Sequence, residues 1–127
     1  MAFPPQILVV TPSAEIAQAV RRALGGEDFQ IRALTDFAAA RVAMERHPPD
    51  LLISEVRLGA FNGLHLAILA RGRHATTRTI LIGPPDPVME AEATRQRVTY
   101  LIAGTDGDAA LRAEARIIAD LNPPTIH

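Results

Sequence analysis

The feature that most constrains this chain is a repeated switch between two hydrophobic periods. Gln6-Ile7-Leu8-Val9-Val10 is a short, nearly unbroken β-branched run, as a strand buried on both faces requires. Thr11-Pro12-Ser13 breaks it with hydroxyls suited to a helix cap. Ile16, Val20, Ala23 and Leu24 then recur at helical spacing until Gly25-Gly26. Phe29 to Leu34 alternates as an edge strand does, and Thr35 is placed to cap a helix from Asp36 to His47 that Pro48-Pro49 stops. Asp50 to Val56 reads as a third strand. The loop Arg57 to Gly63 follows, then a helix from Leu64 to Gly72 with Leu64, Ile68 and Leu69 on one face. Thr79 to Ile82 is the fourth strand, and Asp86 and Pro87 are an N-cap and first helical residue. Val98 to Ala103 and a helix from about Asp106 to Leu121 complete the series before Asn122-Pro123-Pro124.

Strand and helix alternating in this way, across short breaks, predict a parallel sheet with helices on both faces. No fixed-period repeat suggests a solenoid. A dinucleotide site needs glycines after the first strand, and Val10-Thr11-Pro12-Ser13-Ala14 has none. At 127 residues and 13.7 kDa there is room for one domain with a real core. We assign residues 1–121 to it and read 122–127 as a short Pro-containing tail or the start of a linker.

Composition removes whole classes of chemistry. The chain has no cysteine, which excludes disulfides, thiolate metal sites and thiol catalysis. All 13 basic residues are arginine, which excludes Schiff-base lysines and a P-loop lysine. His47, His65, His74 and His127 are scattered, with no i, i+4 pair for a metal. A formal charge of −1 creates no global field for nucleic acid or an anionic membrane. The absence of a long apolar run and of a basic leader points to a soluble, cytoplasmic protein.

From Pro49-Asp50-Leu51-Leu52-Ile53-Ser54-Glu55 through Phe61-Asn62-Gly63-Leu64 the sequence resembles the third strand and following loop of a response-regulator receiver domain, the CheY-like family. That family usually reads Pro-Asp-Leu, three apolar residues and Asp, then a loop ending Met-Asp-Gly-Leu. Ile7 to Val10 and Tyr100-Leu101-Ile102 match it as well. The resemblance implies a flavodoxin-like (βα)5 three-layer sandwich with a five-stranded parallel sheet in the order 2-1-3-4-5. It also implies two-component signal transduction, in which an aspartate takes a phosphoryl group. An acid pair holds Mg²⁺ beside that aspartate, a Thr or Ser contacts the phosphoryl group, and a Lys neutralises it.

Carried over position by position, the site is degenerate. The acid pair falls on Thr11 and Pro12, the nucleophile on Glu55, the hydroxyl on Gly83 and the lysine on Ala103. A lone carboxylate does not hold Mg²⁺, which gives up its hydration shell reluctantly. We therefore expect no cofactor, no bound Mg²⁺, no enzymatic activity and no phosphorylation of Glu55. Glu55 is then either a fixed charge mimicking the phosphorylated state or a strand-end carboxylate satisfied by Thr11, backbone N–H groups or water. Tyr100 lies where the family often carries a switching aromatic; it is equally an amphipathic ring at a strand end. Three prolines stiffen Gly83-Pro84-Pro85-Asp86-Pro87. Arg71, Arg73 and Arg78 flank His74 as a basic patch, read as a solvated loop.

The expected role is that of a pseudo-receiver, a phosphorylation-independent protein-interaction module. The face implied by the resemblance includes Val88, Met89, Tyr100 and Leu111. Its partner would be a signalling kinase, an output domain, an adaptor or a second copy, with neither nucleic acid nor membrane. Two alternatives stay open: a phospho-accepting receiver with an unconventional site at Glu55, and a small flavodoxin-like ligand-binding protein.

Overall fold

The computed structural model describes residues 4–25, 28–103 and 108–121. In chain order its elements are β1 (Gln6–Val10), α1 (Ala14–Leu24), β2 (Gln30–Leu34), α2 (Phe37–Arg46) and β3 (Leu51–Glu55). These are followed by β4 (Arg57–Leu58), β5 (Phe61–Asn62), α3 (Gly63–Arg73), β6 (Arg78–Gly83), α4 (Pro87–Arg95), β7 (Thr99–Ile102) and α5 (Asp108–Leu121). Five strands form one parallel sheet in the order β2-β1-β3-β6-β7.

The expected order counted five strands in all. The segment taken as one loop after β3 instead folds into an antiparallel ribbon, β4 on β5, pairing Arg57 with Asn62 and Leu58 with Phe61. It turns at Gly59, whose φ of 63° lies in the left-handed region that glycine enters without strain. Two strands are thereby added off the main sheet, so the fourth and fifth sheet strands are β6 and β7.

Alternation along the strands divides the core into two layers. Ile7, Val9, Leu51, Ile53 and Ile80 point to one face, where they pack with Val20 and Leu24 of α1 and Leu111 and Ala115 of α5. Leu8, Val10 and Leu52 point to the other, against Phe37, Ala40, Ala43 and Met44 of α2 and Leu66 and Ala70 of α3. Leu81 continues that second face with Leu64, Ala67, Ala93 and Val98. Because both faces are covered, β1 and β3 read as continuous apolar runs. Leu111, proposed from the sequence for an interaction face, is core: it is 5% exposed and buried against the sheet.

Local chemistry explains the helix ends. Ser13 Oγ accepts the Ile16 N–H at 3.3 Å, and Asp86 Oδ1 accepts the Met89 N–H at 3.0 Å ahead of Pro87. Asp36, not Thr35, caps α2, its carboxylate accepting the Ala39 N–H at 2.8 Å. An anionic acceptor at the positive helix end outcompetes the preceding hydroxyl. In α3 the buried residues are Gly63, Leu64, Leu66, Ala67 and Ala70, whereas Ile68 is 47% exposed. The helix packs against both α2 and the sheet, so small residues share its wide inner face and Ile68 turns out.

Two features at the amino ends of the strands were not legible in the sequence. The buried Glu114 carboxylate of α5 accepts Arg78 Nε at 2.7 Å and the Thr99 hydroxyl at 3.0 Å, tying α5 to β6 and β7. A carboxylate so buried requires such partners. Beyond α4, Arg97 N–H donates to the Thr94 carbonyl at 3.0 Å and Val98 N–H to the Ala93 carbonyl at 2.8 Å. This paired closure places Arg97 at a φ of 58°, where helices usually carry glycine.

Replacing that side chain tests the strain directly. Arg97→Gly is expected to stabilise the fold by about 0.5–1 kcal/mol. The urea midpoint should rise with an unchanged slope; a lower midpoint would contradict the assignment.

Candidate functional site

Every strand of a parallel sheet ends on the same side, so the turns after β1, β3, β6 and β7 converge at the carboxyl edge. Thr11 is the first residue past β1, held by its N–H on the Leu34 carbonyl at 2.9 Å. It is only 3% exposed, so its hydroxyl needs a partner inside the protein. That partner is Glu55, whose Oε2 accepts the Thr11 hydroxyl proton across the gap between β1 and β3. The same hydroxyl oxygen accepts the Ser13 N–H at 2.9 Å. Ser13 N–H, Thr11 hydroxyl and Glu55 carboxylate thus form one directional chain from the start of α1 to the end of β3.

The start of α3 fixes Glu55 from behind. Gly63 N–H donates to the Val56 carbonyl at 2.8 Å, and Val56 N–H to the Ile82 carbonyl at 2.9 Å. Ser54 Oγ donates to the Glu55 carbonyl at 2.9 Å, and Asn62 Oδ1 accepts the Leu64 N–H at 2.7 Å. Here glycine is obligatory: a Cβ on Gly63 would lie 2.2 Å from the Glu55 carbonyl oxygen and 2.8 Å from Ser54 Oγ. The Asn62-Gly63 pair is therefore a packing device that positions the glutamate.

A second contact closes the β6 side. A Cβ on Gly83 would meet the Tyr100 hydroxyl at 2.6 Å and Val56 Cγ2 at 2.9 Å. The ring of Tyr100 therefore occupies the space above Gly83, and its hydroxyl donates to the Pro84 carbonyl at 2.6 Å. Met89 and Tyr100 both pack against the buried cluster of Val56, Leu64, Leu81, Ala93 and Val98. Partial burial pushes the Tyr100 phenol above its ordinary value of 10.0, with Asp86 and Glu90 adding to the rise and Arg57 opposing it.

Of the positions singled out in the sequence, the structure brings Thr11 onto Glu55 and Tyr100 onto Gly83. Ala103 reaches the group through its backbone, its N–H donating to the Gly83 carbonyl at 2.9 Å. Pro12 is exposed and takes no part in these hydrogen bonds. Asp106, read as the start of the last helix, and the tail at 122–127 lie outside the described residues. On α4, Val88 is 78% exposed and Met89 half-buried. Among the described residues no three His, Asp or Glu side chains come together as a metal set. No helix among them is long and apolar enough to cross a membrane. The seat of Tyr100 on Gly83 was missed in the sequence; its only signal there was a side-chain-free residue directly before the proline run.

No protein-family model matches the sequence, and no curated protein matches it. The fold, however, recurs among solved structures. The signal receiver domain of an HD domain-containing protein from Pseudomonas fluorescens superposes with a TM-score of 0.83 at 23% identity, covering 96% of this chain and 91% of its own. A response regulator receiver protein from Sinorhizobium medicae gives 0.81 at 16% identity, covering 94% and 97%. The chemotaxis response regulator CheY4 of Vibrio cholerae gives 0.75 at 17%, covering 91% and 98%. These likenesses establish the receiver-domain, CheY-like α/β fold over nearly the whole chain.

Tyr100 is the only tyrosine and there is no tryptophan, so intrinsic fluorescence reports on this contact alone. Gly83→Ala is expected to expel the ring, increase quenching by acrylamide and cost about 1–3 kcal/mol. Unchanged quenching would contradict the packing. In the native protein the phenol should ionise above pH 10.0. Since the folded state then holds its proton more tightly than the unfolded chain, stability should fall as pH rises from the unfolded value through the folded one. A spectrophotometric titration at or below the free-tyrosine value would contradict it.

Proposed function

We propose that this chain is a receiver-fold signalling domain that acts through protein contacts and takes up no phosphoryl group. The observation carrying this reading is the hydrogen-bonded pair at the carboxyl edge, Thr11 on Glu55, where the resemblance implies a metal-binding acid cluster. A threonine hydroxyl supplies one proton and little affinity for a hard divalent cation. Pro12 supplies no side-chain donor at all. The residues present do not fit Mg²⁺, and no lysine exists in the chain to meet developing phosphoryl charge. Gly83 offers no hydroxyl, and its space is taken by Tyr100.

On this reading Glu55 is a structural carboxylate satisfied by Thr11. The domain needs no cofactor and performs no catalysis. Its output passes through the surface around exposed Val88 and half-buried Met89 and Tyr100, to a signalling kinase, an output domain or an adaptor, or to a second copy of the chain. A role inside the cytoplasm, away from nucleic acid and membrane, accords with the receiver fold and the near-neutral charge.

Incubation with acetyl phosphate and Mg²⁺ should leave the mass of the protein unchanged. Treated and untreated domain should capture the same partners from a lysate, and Val88→Glu should reduce that capture severalfold. Addition of one phosphoryl group, abolished by Glu55→Gln, would overturn the proposal.

A further inference from the structure

At the opposite end of the sheet, between the last turns of α3 and α4 and the starts of β6 and β7, lies an open groove of about 400 Å³. Its walls carry Arg71, Arg78, Arg95 and Arg97 against one carboxylate, Glu114. Counting Glu92, which pairs with Arg95, that leaves an excess of two positive charges in a chain whose formal net charge is −1. Such a concentration is self-repulsive and has to be met from somewhere.

The partners within the protein meet it only in part. Arg78 is matched by Glu114, and Arg71 donates through one nitrogen to the Gln96 carbonyl at the end of α4. Arg95 touches Glu92 through one nitrogen and is 70% exposed. Arg97 is exposed and finds no side-chain hydrogen bond or ion pair among the described residues. Its backbone holds the left-handed conformation that glycine would adopt without strain, so a guanidinium sits on the groove wall at a conformational cost. Thr76, on the same wall, is exposed, with its hydroxyl 3.3 Å from His74 Nε2.

From this arrangement we propose that the groove binds a small ligand bearing a diphosphate group. Guanidinium groups present paired N–H donors that match phosphate oxygens two at a time. Three unsaturated arginines around one groove suit an anion carrying more than one negative charge, which a single carboxylate does not supply. The volume falls in the range of small-molecule sites. No aromatic side chain among the described residues lines it, so they provide no stacking for nucleic-acid bases. The groove lies across the sheet from Glu55, so its ligand is independent of the phosphoryl question at the carboxyl edge.

The test is a titration of the isotope-labelled protein with inorganic pyrophosphate, followed by amide shifts, at constant ionic strength. Saturable shifts centred on Thr76, Arg95 and Arg97 are expected, with affinity reduced at least tenfold in Arg97→Gly and in Arg95→Gln. Because Arg97→Gly should be the more stable protein, a loss of binding in it cannot come from unfolding. A nucleoside diphosphate binding more tightly than pyrophosphate would identify a nucleotide as the source of the group. Equal affinity would identify the diphosphate alone, and either result supports the site. Absence of saturable shifts, equal shifts with sodium sulfate, or wild-type affinity in Arg97→Gly would overturn it.

Discussion

The hydroxyl of Thr11 and the carboxylate of Glu55 each solve the other's problem. Thr11 is buried just past the end of the interior strand β1, where an unpartnered hydroxyl would be costly. Glu55 ends the neighbouring strand β3, and its side chain reaches back across the gap as an acceptor. The backbone N–H of Ser13 completes the chain from the first helix. The features around the end of β3 follow from how this pair is held. Gly63 lets α3 close against the Glu55 carbonyl, and Ser54 fastens that carbonyl from the side. The carboxylate is thereby committed to a neutral hydroxyl, and no second acid among the described residues joins it there.

The other half of the edge is governed by volume. Gly83 leaves a hole where a side chain would stand, and the Tyr100 ring fills it with its hydroxyl tethered to Pro84. Three prolines around Asp86 reduce the number of loop states that could release the ring. Met89, in the first turn of α4, rests on the same buried cluster as the tyrosine. The two halves together describe an edge built for one arrangement, with hydrogen bonding on the β1 side and steric filling on the β6 side.

How much of this could be read beforehand depends on the range of the interaction. The alternation of β and α elements and the Asp86-Pro87 helix start are local, and the sequence declared them. The ribbon β4–β5 was hidden because two-residue strands leave no periodicity, and Thr35 was preferred to Asp36 because both are competent caps. Ile68 was misjudged because helical spacing gives the stripe but not its partner, and α3 is flanked on two sides. Leu111 was set on an interaction face by the resemblance, whereas α5 buries it against the sheet. At the site, Thr11 was among the partners foreseen for Glu55. The Tyr100–Gly83 contact, the Glu114 anchor and the arginine groove join residues distant in the chain, and no spacing rule announces them.

The most direct test of the account is whether the carboxyl edge accepts a phosphoryl analogue. Beryllofluoride with excess Mg²⁺, added to isotope-labelled protein, should leave the amide resonances of Thr11, Glu55, Gly83 and Ala103 in place. Saturable shifts at those four positions, absent when Mg²⁺ is withheld, would mean that the edge binds metal and anion together, and the account would be wrong.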